Sequence, residues 1–225
     1  PATVFVSTGF INGGRMWNDS VIEICRNFDA GSLDLSELDL GCYSLQTNSQ
    51  RLAAVDSIIQ RIRHLDPVIR AALVNAIEMR AVALPNDLML TDAQIQSLAR
   101  NGVTIGGHTV NHPILSSVSG AVAHREMQES KSYLEQLLQK QIEVFAYPNG
   151  RPGLDYREVH RDMVEALGFK AAVSTHWGVS TIESDRFQLP RFTPWDRREL
   201  KFAIRLLAGY RQVDPLSASA RRLFG

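Results

Sequence analysis

Two histidines four residues apart, His108 and His112, are the residues of this sequence best suited to chemistry. They lie in VTIGGHTVNHPILS, where an apolar run passes through two glycines into the histidine pair and a proline. Neutral imidazole is the commonest nitrogen ligand of zinc-like ions, and this spacing brings two rings together in a tight loop or on one helical turn. Hydrogen-bonded loop histidines share the spacing, so by itself the pair leaves both interpretations open.

Two further segments combine polar and aromatic residues as active-site loops do. FAYPNGRPG (145–153) contains the turn sequence YPNG (147–150), which is also compatible with a turn and nothing more. STHWG (174–178) sets His176 beside Trp177, a pair that is more often structural or exposed than functional. Whether these two segments belong to a functional site therefore depends on where they lie in the fold.

Each of the three loops follows a predicted strand. VTIGG, IEVFAYP and KAAVST are short apolar runs, and segments with helical periodicity at 120–139 and 155–167 separate them. Strands that alternate with helices imply a mostly parallel sheet, and hence an α/β layer or barrel. In such folds ligands gather at the C-terminal ends of the strands, where all three loops are expected to lie.

The remaining elements predict a single domain, 1–225, with a mostly helical insertion at 16–89. Apolar residues at three- and four-residue spacing indicate core-facing helices in this insertion, and Pro67 separates two of them. Thr91 and Gln94 have the spacing of a capping box. The predicted elements outside the three loops are a strand at 3–11, helices at 16–28, within 51–83 and at 90–102, a small hairpin within 29–49, an extended segment at 187–194 and a helix at 197–209.

Composition and charge exclude several classes of function. Lys and Arg total 24, as do Asp and Glu, so the balance offers no electrostatic case for nucleic acid or an anionic membrane. No apolar run approaches the roughly 20 residues that span a bilayer. Cys25 and Cys42 have neither metal-binding nor redox spacing, and we expect free or buried thiols, with one disulfide possible on export.

The first residues, PATVFVSTGFI, predict a strand rather than a signal peptide, because no basic residues precede the apolar stretch. An opening on a strand, without Met or a leader, suggests that upstream residues have been lost. A cytoplasmic location and one in the cell envelope or periplasm both stay open, as does the oligomeric state.

Taken together, these segments resemble the polysaccharide deacetylase family, the NodB homology domain of carbohydrate esterase family 4. The resemblance rests on IGGHTVNHPILS, FAYPNG, ALGFKAAVST and LPRF in that order, and it covers nearly the whole chain. PATVFVSTGFI is similar to the family's second strand, and MWNDSVIE to a subgroup with a helical insertion. The resemblance implies a deformed, incomplete (β/α) barrel that removes N-acetyl groups from the amino sugars of a polysaccharide.

The resemblance also implies a divalent metal held by two His and one Asp, most often Zn²⁺, with Co, Ni or Mn as alternatives. By position, His108 and His112 would be metal ligands that help to polarise the amide carbonyl and activate a bound water. The backbone N–H of Asn149 would lie where the family places an oxyanion donor. His176 is the nearest candidate for the general acid.

Four further residues receive binding or supporting roles from the same resemblance. Tyr147 and Pro148 fall on the segment that lines the family's site. Thr109 would support the histidine loop, and Trp177 would offer a stacking face to a sugar ring.

The departures from the family pattern concern its first motif, a strand ending in Phe-Asp-Asp, which supplies the general base and the third metal ligand. This motif would precede PATVFV, and neither Asp19 nor Asp155 is a substitute for it. Ala146 stands where many members have an Arg braced against the base. We therefore expect weak metal binding and little or no activity, because a general base contributes roughly 10²–10⁴-fold in rate.

Three functional hypotheses follow. The leading one is a metal-dependent polysaccharide deacetylase that acts on an N-acetylated polysaccharide or oligosaccharide. The second is a non-catalytic carbohydrate-binding or scaffold protein that keeps the deacetylase fold. The third is a different metal-dependent amidohydrolase on a similar barrel, and an Asp-Asp pair at a strand end upstream would favour the first over the second.

Overall fold

The structure of the chain, a computed structural model, describes residues 1–80, 83–192 and 198–210. The elements in chain order are β1 (Thr3–Val6), α1 (Trp17–Asn27), β2 (Ser32–Leu35), β3 (Gly41–Ser44), α2 (Asn48–Ile62), α3 (Pro67–Glu78), α4 (Asp92–Arg100), β4 (Thr104–Gly107), α5 (Gly120–Leu138), β5 (Val144–Ala146), α6 (Glu158–Ala166), β6 (Ala171–Val173) and α7 (Glu199–Tyr210). Contacts divide the chain into two compact units, Phe10–Thr91 and the remainder. The predicted insertion, 16–89, falls inside the range of the first of these.

A four-stranded parallel sheet in the order β1-β4-β5-β6 organises the larger unit. The register pairs Val6 with Gly107, Gly107 with Phe145, and Ala146 with Val173, so the C-terminal ends of all four strands meet at one edge. Within the described ranges β1 and β6 do not pair, so the sheet stays open. The α/β class and the incomplete (β/α) arrangement predicted from the sequence are thus confirmed.

Close packing explains why β4 consists of small residues at its end. Phe145 is fully buried beneath it and packs against Phe169 with ring centroids 5.3 Å apart. A Cβ at Gly106 would lie 2.5 Å from a ring carbon of Phe5 on the neighbouring strand, which leaves no room for a side chain. The two glycines therefore let aromatic rings pack against the strand that leads to the histidines.

The smaller unit, Phe10–Thr91, contains three helices and a hairpin in which β2 and β3 pair antiparallel. Thr47 and Gln50 form a reciprocal capping box at the start of α2, and Asp66 caps α3 immediately before Pro67. The predicted pair of helices is therefore present, with α3 ending at Glu78 and residues 81–82 outside the described part. The fully buried core of this unit includes Val21, Cys25, Leu33, Leu35, Leu45, Ile58, Ile62 and Ile77.

The first strand is shorter than predicted, ending at Val6 instead of continuing to residue 11. Thr8–Phe10 instead forms a 3-10 turn, and the N–H groups of Thr8 and Gly9 donate to the carbonyls of Thr109 (3.2 Å) and Val110 (2.9 Å). The β-branched and aromatic residues predict extended backbone, but these long-range hydrogen bonds determine the local conformation.

The predicted extended segment at 187–194 is described to residue 192. Leu189 bridges Val173 in parallel and so continues the sheet beyond β6 by one residue, while residues 193–194 lie outside the described part. Cys25 is buried, Cys42 is exposed and both are free thiols. No helix in the described ranges is long and apolar enough to cross a bilayer.

Candidate functional site

The histidine loop, residues 108–112, begins where β4 ends and is tied to the end of β1. The N–H of His108 donates to the carbonyl of Val6 at 3.1 Å, and the Ser7 hydroxyl donates to the carbonyl of His108 at 2.9 Å. These bonds continue the β1–β4 pairing by one residue past the sheet. The backbone that carries the first imidazole is therefore as well fixed as the strands themselves.

Thr109 closes the loop by hydrogen bonding to both of its histidines. Its side chain is fully buried, and its hydroxyl donates to the carbonyl of His108 (2.5 Å) and accepts from the N–H of His112 (3.0 Å). Thr109 and His112 both adopt left-handed backbone conformations, with φ of 64° and 53°. Each such non-glycine residue is strained by roughly 1 kcal/mol or more, so the surrounding contacts must hold the turn in place.

The turn brings the two imidazoles into contact. Their ring centroids are 4.7 Å apart and the ring planes are inclined by 74°. Nδ1 of His108 lies 2.7 Å from the carbonyl oxygen of Ala146, the last residue of β5. A carbonyl can only accept, so Nδ1 carries the proton and the lone pair is on Nε2, an arrangement that many metal-binding histidines share.

Burial lowers the pKa of His108, and the nearby positive charge of Arg191 lowers it further, while the Ala146 carbonyl opposes both effects. His108 is therefore held in its neutral form at neutral pH, which is the form that binds a metal ion. The Arg191 guanidinium is half-buried and its Nε donates to the carbonyl of Ser174 at 2.6 Å. Burial also lowers the pKa of Arg191.

The loop after β5 presents backbone rather than side chains at the same edge. Tyr147 is buried, and its hydroxyl donates to the carbonyl of Phe187 at 2.9 Å. Its ring stacks on the ring of Tyr156, with the two ring centroids 3.7 Å apart. Pro148 is also buried. The side chain of Tyr147 thus belongs to the core, and a substrate-binding role for these two residues stays a prediction.

Asn149 is the exposed residue of this turn. Its backbone is left-handed, with φ of 57°, and its carbonyl accepts a hydrogen bond from the Thr175 hydroxyl at 2.6 Å. The N–H of Asn149 has no acceptor in the described part of the chain. A donor at a strand end without an internal acceptor can serve an oxyanion, the role expected for this group.

His176 and Trp177 follow β6 at the same edge of the sheet. The carbonyl of His176 accepts from the N–H of Arg191 at 2.8 Å, whereas its Nε2 atom is buried and has no hydrogen-bond partner within the described ranges. Trp177 is half-buried, packs edge-on against Phe192 at 5.3 Å and has the Arg205 guanidinium 5.8 Å above its ring. The acid and stacking roles of these residues stay predictions.

The two neighbouring imidazoles fit a divalent metal as two of its ligands. With metal–nitrogen bonds of about 2.1 Å, two imidazoles on one ion have ring centroids about 5 Å apart, close to the observed separation. The neutral state of His108 and its carbonyl-bound Nδ1 agree with this. No group of three or more His, Cys, Asp or Glu that could hold a metal occurs among the described residues, so the fit extends to two ligands only.

The two aspartates that sequence reasoning set aside, Asp19 and Asp155, do not complete the site. Asp155 is 2% exposed and accepts three hydrogen bonds from Arg151, which engage its carboxylate in a loop of its own. Asp19 does not form a group of three or more possible metal ligands with the histidines among the described residues.

Sequence reasoning missed two residues of this site, Arg191 and Glu126. Arg191 belongs to the LPRF segment, and nothing in the sequence indicated that its charge would lie beside His108. Glu126 lies on α5, where a charged residue normally indicates a solvated helix face, yet its carboxylate accepts hydrogen bonds from the histidine loop.

Comparison with known proteins supports the same family. Residues 68–172 match the family model described as polysaccharide deacetylase. A protein of Bacillus subtilis (strain 168) named "Putative polysaccharide deacetylase YxkH" is 28% identical over 102 residues, which are 45% of this chain and 35% of that protein. The chain therefore spans about a third of the length of this curated relative.

Two solved structures are similar to parts of the chain. Streptococcus pyogenes deacetylase PplD, in complex with acetate, is 19% identical with a TM-score of 0.43, covering 79% of each chain. IcaB from Ammonifex degensii is 17% identical with a TM-score of 0.41, covering 54% of each chain. The resemblance to polysaccharide deacetylases inferred from the sequence is confirmed by the family match and the curated relative.

Proposed function

We propose that this chain, which resembles the polysaccharide deacetylases over residues 68–172, contributes the histidine half of a divalent-metal site that removes N-acetyl groups from a polysaccharide. The observation that carries the proposal is the pair of contacting imidazoles at the strand ends, with His108 held in a ligand-competent state by the Ala146 carbonyl. Zn²⁺ is the first candidate, with Co, Ni or Mn as alternatives. A bound ion of this kind supplies Lewis acidity toward the amide carbonyl and the attacking water.

The chain's own groups would divide the remaining work. The Asn149 N–H, which has no acceptor among the described residues, would donate to the oxyanion of the tetrahedral intermediate, a contribution worth roughly 10²–10³-fold in rate for one such donor elsewhere. The buried Nε2 of His176, which has no hydrogen-bond partner in the part of the chain that the structure describes, supports a role in proton transfer to the leaving amine. The exposed part of Trp177 would pack against a sugar ring of the substrate.

The general base and the third metal ligand are not assigned among the described residues. We therefore propose that these 225 residues alone bind metal weakly and release little acetate from an N-acetylglucosamine oligomer. If the chain is part of a longer protein in which a carboxylate pair completes the site, that longer protein should release acetate. Full activity of the chain alone would contradict this part of the proposal.

The direct test is the metal content of the purified protein, compared between wild type and His108→Ala. His64→Ala is the matched control, because His64 is exposed and its Nε2 accepts a hydrogen bond from Nε of Arg63 at 2.8 Å. We expect metal to be lost in His108→Ala and retained in His64→Ala. An unchanged stoichiometry in His108→Ala would remove this residue from the site and with it the proposal.

A carbohydrate-binding or scaffold function is the second candidate, and the two-ligand donor set of the described residues favours it. A binder would hold an N-acetylglucosamine oligomer with the same affinity in the presence of a chelator as in its absence, and Trp177→Ala would weaken that binding. The metal-dependent enzyme would instead lose acetate release in the chelator.

A further inference from the structure

The histidine loop is held in place by hydrogen bonds to a carboxylate on the neighbouring helix. Both oxygens of Glu126, on α5, are used: one accepts from the N–H groups of Val110 (2.9 Å) and Asn111 (2.8 Å), and the other from the Asn111 side-chain amide (2.8 Å). These three hydrogen bonds to a carboxylate act on the two residues between Thr109 and His112. Charge-assisted bonds of this kind are roughly twice as strong as neutral ones.

The same two residues are held from the opposite side by the turn after β1. The N–H of Gly9 donates to the carbonyl of Val110 at 2.9 Å. A Cβ at Gly9 would lie 2.9 Å from that carbonyl oxygen and 2.9 Å from Oδ1 of Asn111, so only glycine allows the close approach. The peptide between Val110 and Asn111 is thus clamped between helix α5 and the turn after β1.

The clamp has a mechanical consequence for the two imidazoles. Thr109 and His112, on either side of the clamped peptide, hold left-handed conformations that a free loop would relax. A change of a few tens of degrees in either backbone would alter the 4.7 Å separation of the rings. Two ligands bind one ion well only when both nitrogens are held at bonding distance.

We infer that Glu126 is a positioning residue for the histidine pair, acting through the backbone of Val110 and Asn111 to fix the separation of the two metal ligands. This inference rests on the proposed metal-binding function and adds to it the residue that sets the geometry. Glu126 contacts the loop rather than a reacting group, so it has no role as acid, base or ligand. Its removal should weaken metal binding without abolishing it.

The test compares Glu126→Ala with Glu135→Ala in the full chain, using Zn²⁺ alone as the probe. Glu135 is a matched control on α5: its carboxylate also accepts a backbone N–H, from Ile142 at 3.0 Å, and pairs with Lys131. We expect Glu126→Ala to raise the Zn²⁺ dissociation constant about 10- to 100-fold, the range for loss of a group that orients metal ligands. Glu135→Ala should leave the constant within about twofold.

Amide hydrogen exchange in the metal-free protein provides a readout that does not depend on the metal. The amides of Val110 and Asn111 should exchange at least about tenfold faster in Glu126→Ala, because each loses a charge-assisted hydrogen bond. Glu126→Gln, which keeps an acceptor oxygen for the two amides, should recover part of both effects. Gly9→Ala, whose added methyl group would collide with the carbonyl of Val110 and the side chain of Asn111, should also weaken Zn²⁺ binding.

The outcomes separate this inference from the proposed function. If His108→Ala loses Zn²⁺ but Glu126→Ala binds it as wild type does, the inference is wrong and the proposed function stands. If Zn²⁺ binding does not depend on His108, the proposed function fails, and the exchange of Val110 and Asn111 alone decides whether Glu126 holds the loop. Unchanged exchange in Glu126→Ala would overturn the clamp itself.

Discussion

The hydroxyl of Thr109 is the internal brace of the histidine loop, and its removal gives the sharpest prediction on loop stability. Thr109→Val keeps the shape and branching of the side chain and deletes the one atom that bonds to both histidines. Thr109→Ser is the matched control, because it keeps that atom and deletes only the methyl group. The two variants therefore separate hydrogen bonding from packing at a fully buried position.

The expected loss of stability in Thr109→Val follows from the hydrogen bonds that the two partners of the hydroxyl, the His108 carbonyl and the His112 N–H, lose or keep. The carbonyl of His108 retains the Ser7 hydroxyl at 2.9 Å, so its loss is that of one net hydrogen bond, about 1 kcal/mol. The N–H of His112 loses an acceptor in a part-buried place, which costs about 1–3 kcal/mol. Thr109→Val should thus lower the free energy of unfolding by about 2–4 kcal/mol.

Thr109→Ser should cost less, about 1 kcal/mol, since it loses one buried methyl group while relieving β-branched crowding at a φ of 64°. The assay is urea unfolding of the metal-free protein followed by circular dichroism, with Zn²⁺ affinity measured on the same samples. We expect Thr109→Val to be less stable than Thr109→Ser by about 2 kcal/mol, by the same hydrogen-bond accounting, and to bind Zn²⁺ more weakly. Equal stability of the two variants would refute the reasoning, because it would mean that the hydroxyl contributes nothing to the loop.

Three further predictions concern groups outside the loop. Burial raises the pKa of the Cys25 thiol to about 11, whereas Cys42 is exposed. A thiol reagent at pH 8 should therefore label Cys42 alone in the native protein and both cysteines in denaturant. Rapid labelling of both cysteines in the native protein would contradict the burial of Cys25. Burial lowers the pKa of His160, whose Nδ1 accepts a hydrogen bond from the N–H of Arg157 at 3.1 Å. As the pH falls, the unfolded state therefore takes up a proton before the folded state does, and the free energy of unfolding should decrease as the pH drops through about 6.5. This decrease should be less steep in His160→Asn. Tyr147→Phe leaves the buried carbonyl of Phe187 without the hydroxyl that donates to it. The variant should lower the free energy of unfolding in urea by about 1–3 kcal/mol and leave the Zn²⁺ affinity unchanged. An altered Zn²⁺ affinity would assign the hydroxyl to the site.

The sequence was sufficient for the parts of the fold that depend on local pattern. Apolar runs followed by turn residues located β4, β5 and β6, and their order predicted the shared edge at which His108, Ala146 and Ser174 now lie. Helix signals such as Thr91, which directly precedes the first residue of α4, act within a few residues and can be read from the sequence. These features need no knowledge of which distant segments meet.

The features that escaped prediction all depend on contacts far apart in sequence. The 3-10 turn after Val6 exists because Thr8 and Gly9 bond to a loop about a hundred residues later. Glu126 has the spacing of an exposed helix residue, and only the packing of α5 against the sheet brings it to the amides of Val110 and Asn111. Local periodicity reports which face of an element is buried, but it does not report which polar groups meet there.

The charge of Arg191 bears on the ligand that the two histidines lack. This guanidinium is half-buried and near enough to lower the pKa of His108, yet no ion pair joins it to a carboxylate in the described ranges. A partly desolvated cation beside the neutral imidazole of His108 costs free energy unless an anion accompanies it. A carboxylate that bound the same metal ion would satisfy Arg191 and complete a set of two nitrogens and one oxygen. Arg191, whose Nε donates to the carbonyl of Ser174 just beyond β6, thus offers a cation at the edge of the sheet where His108 lies.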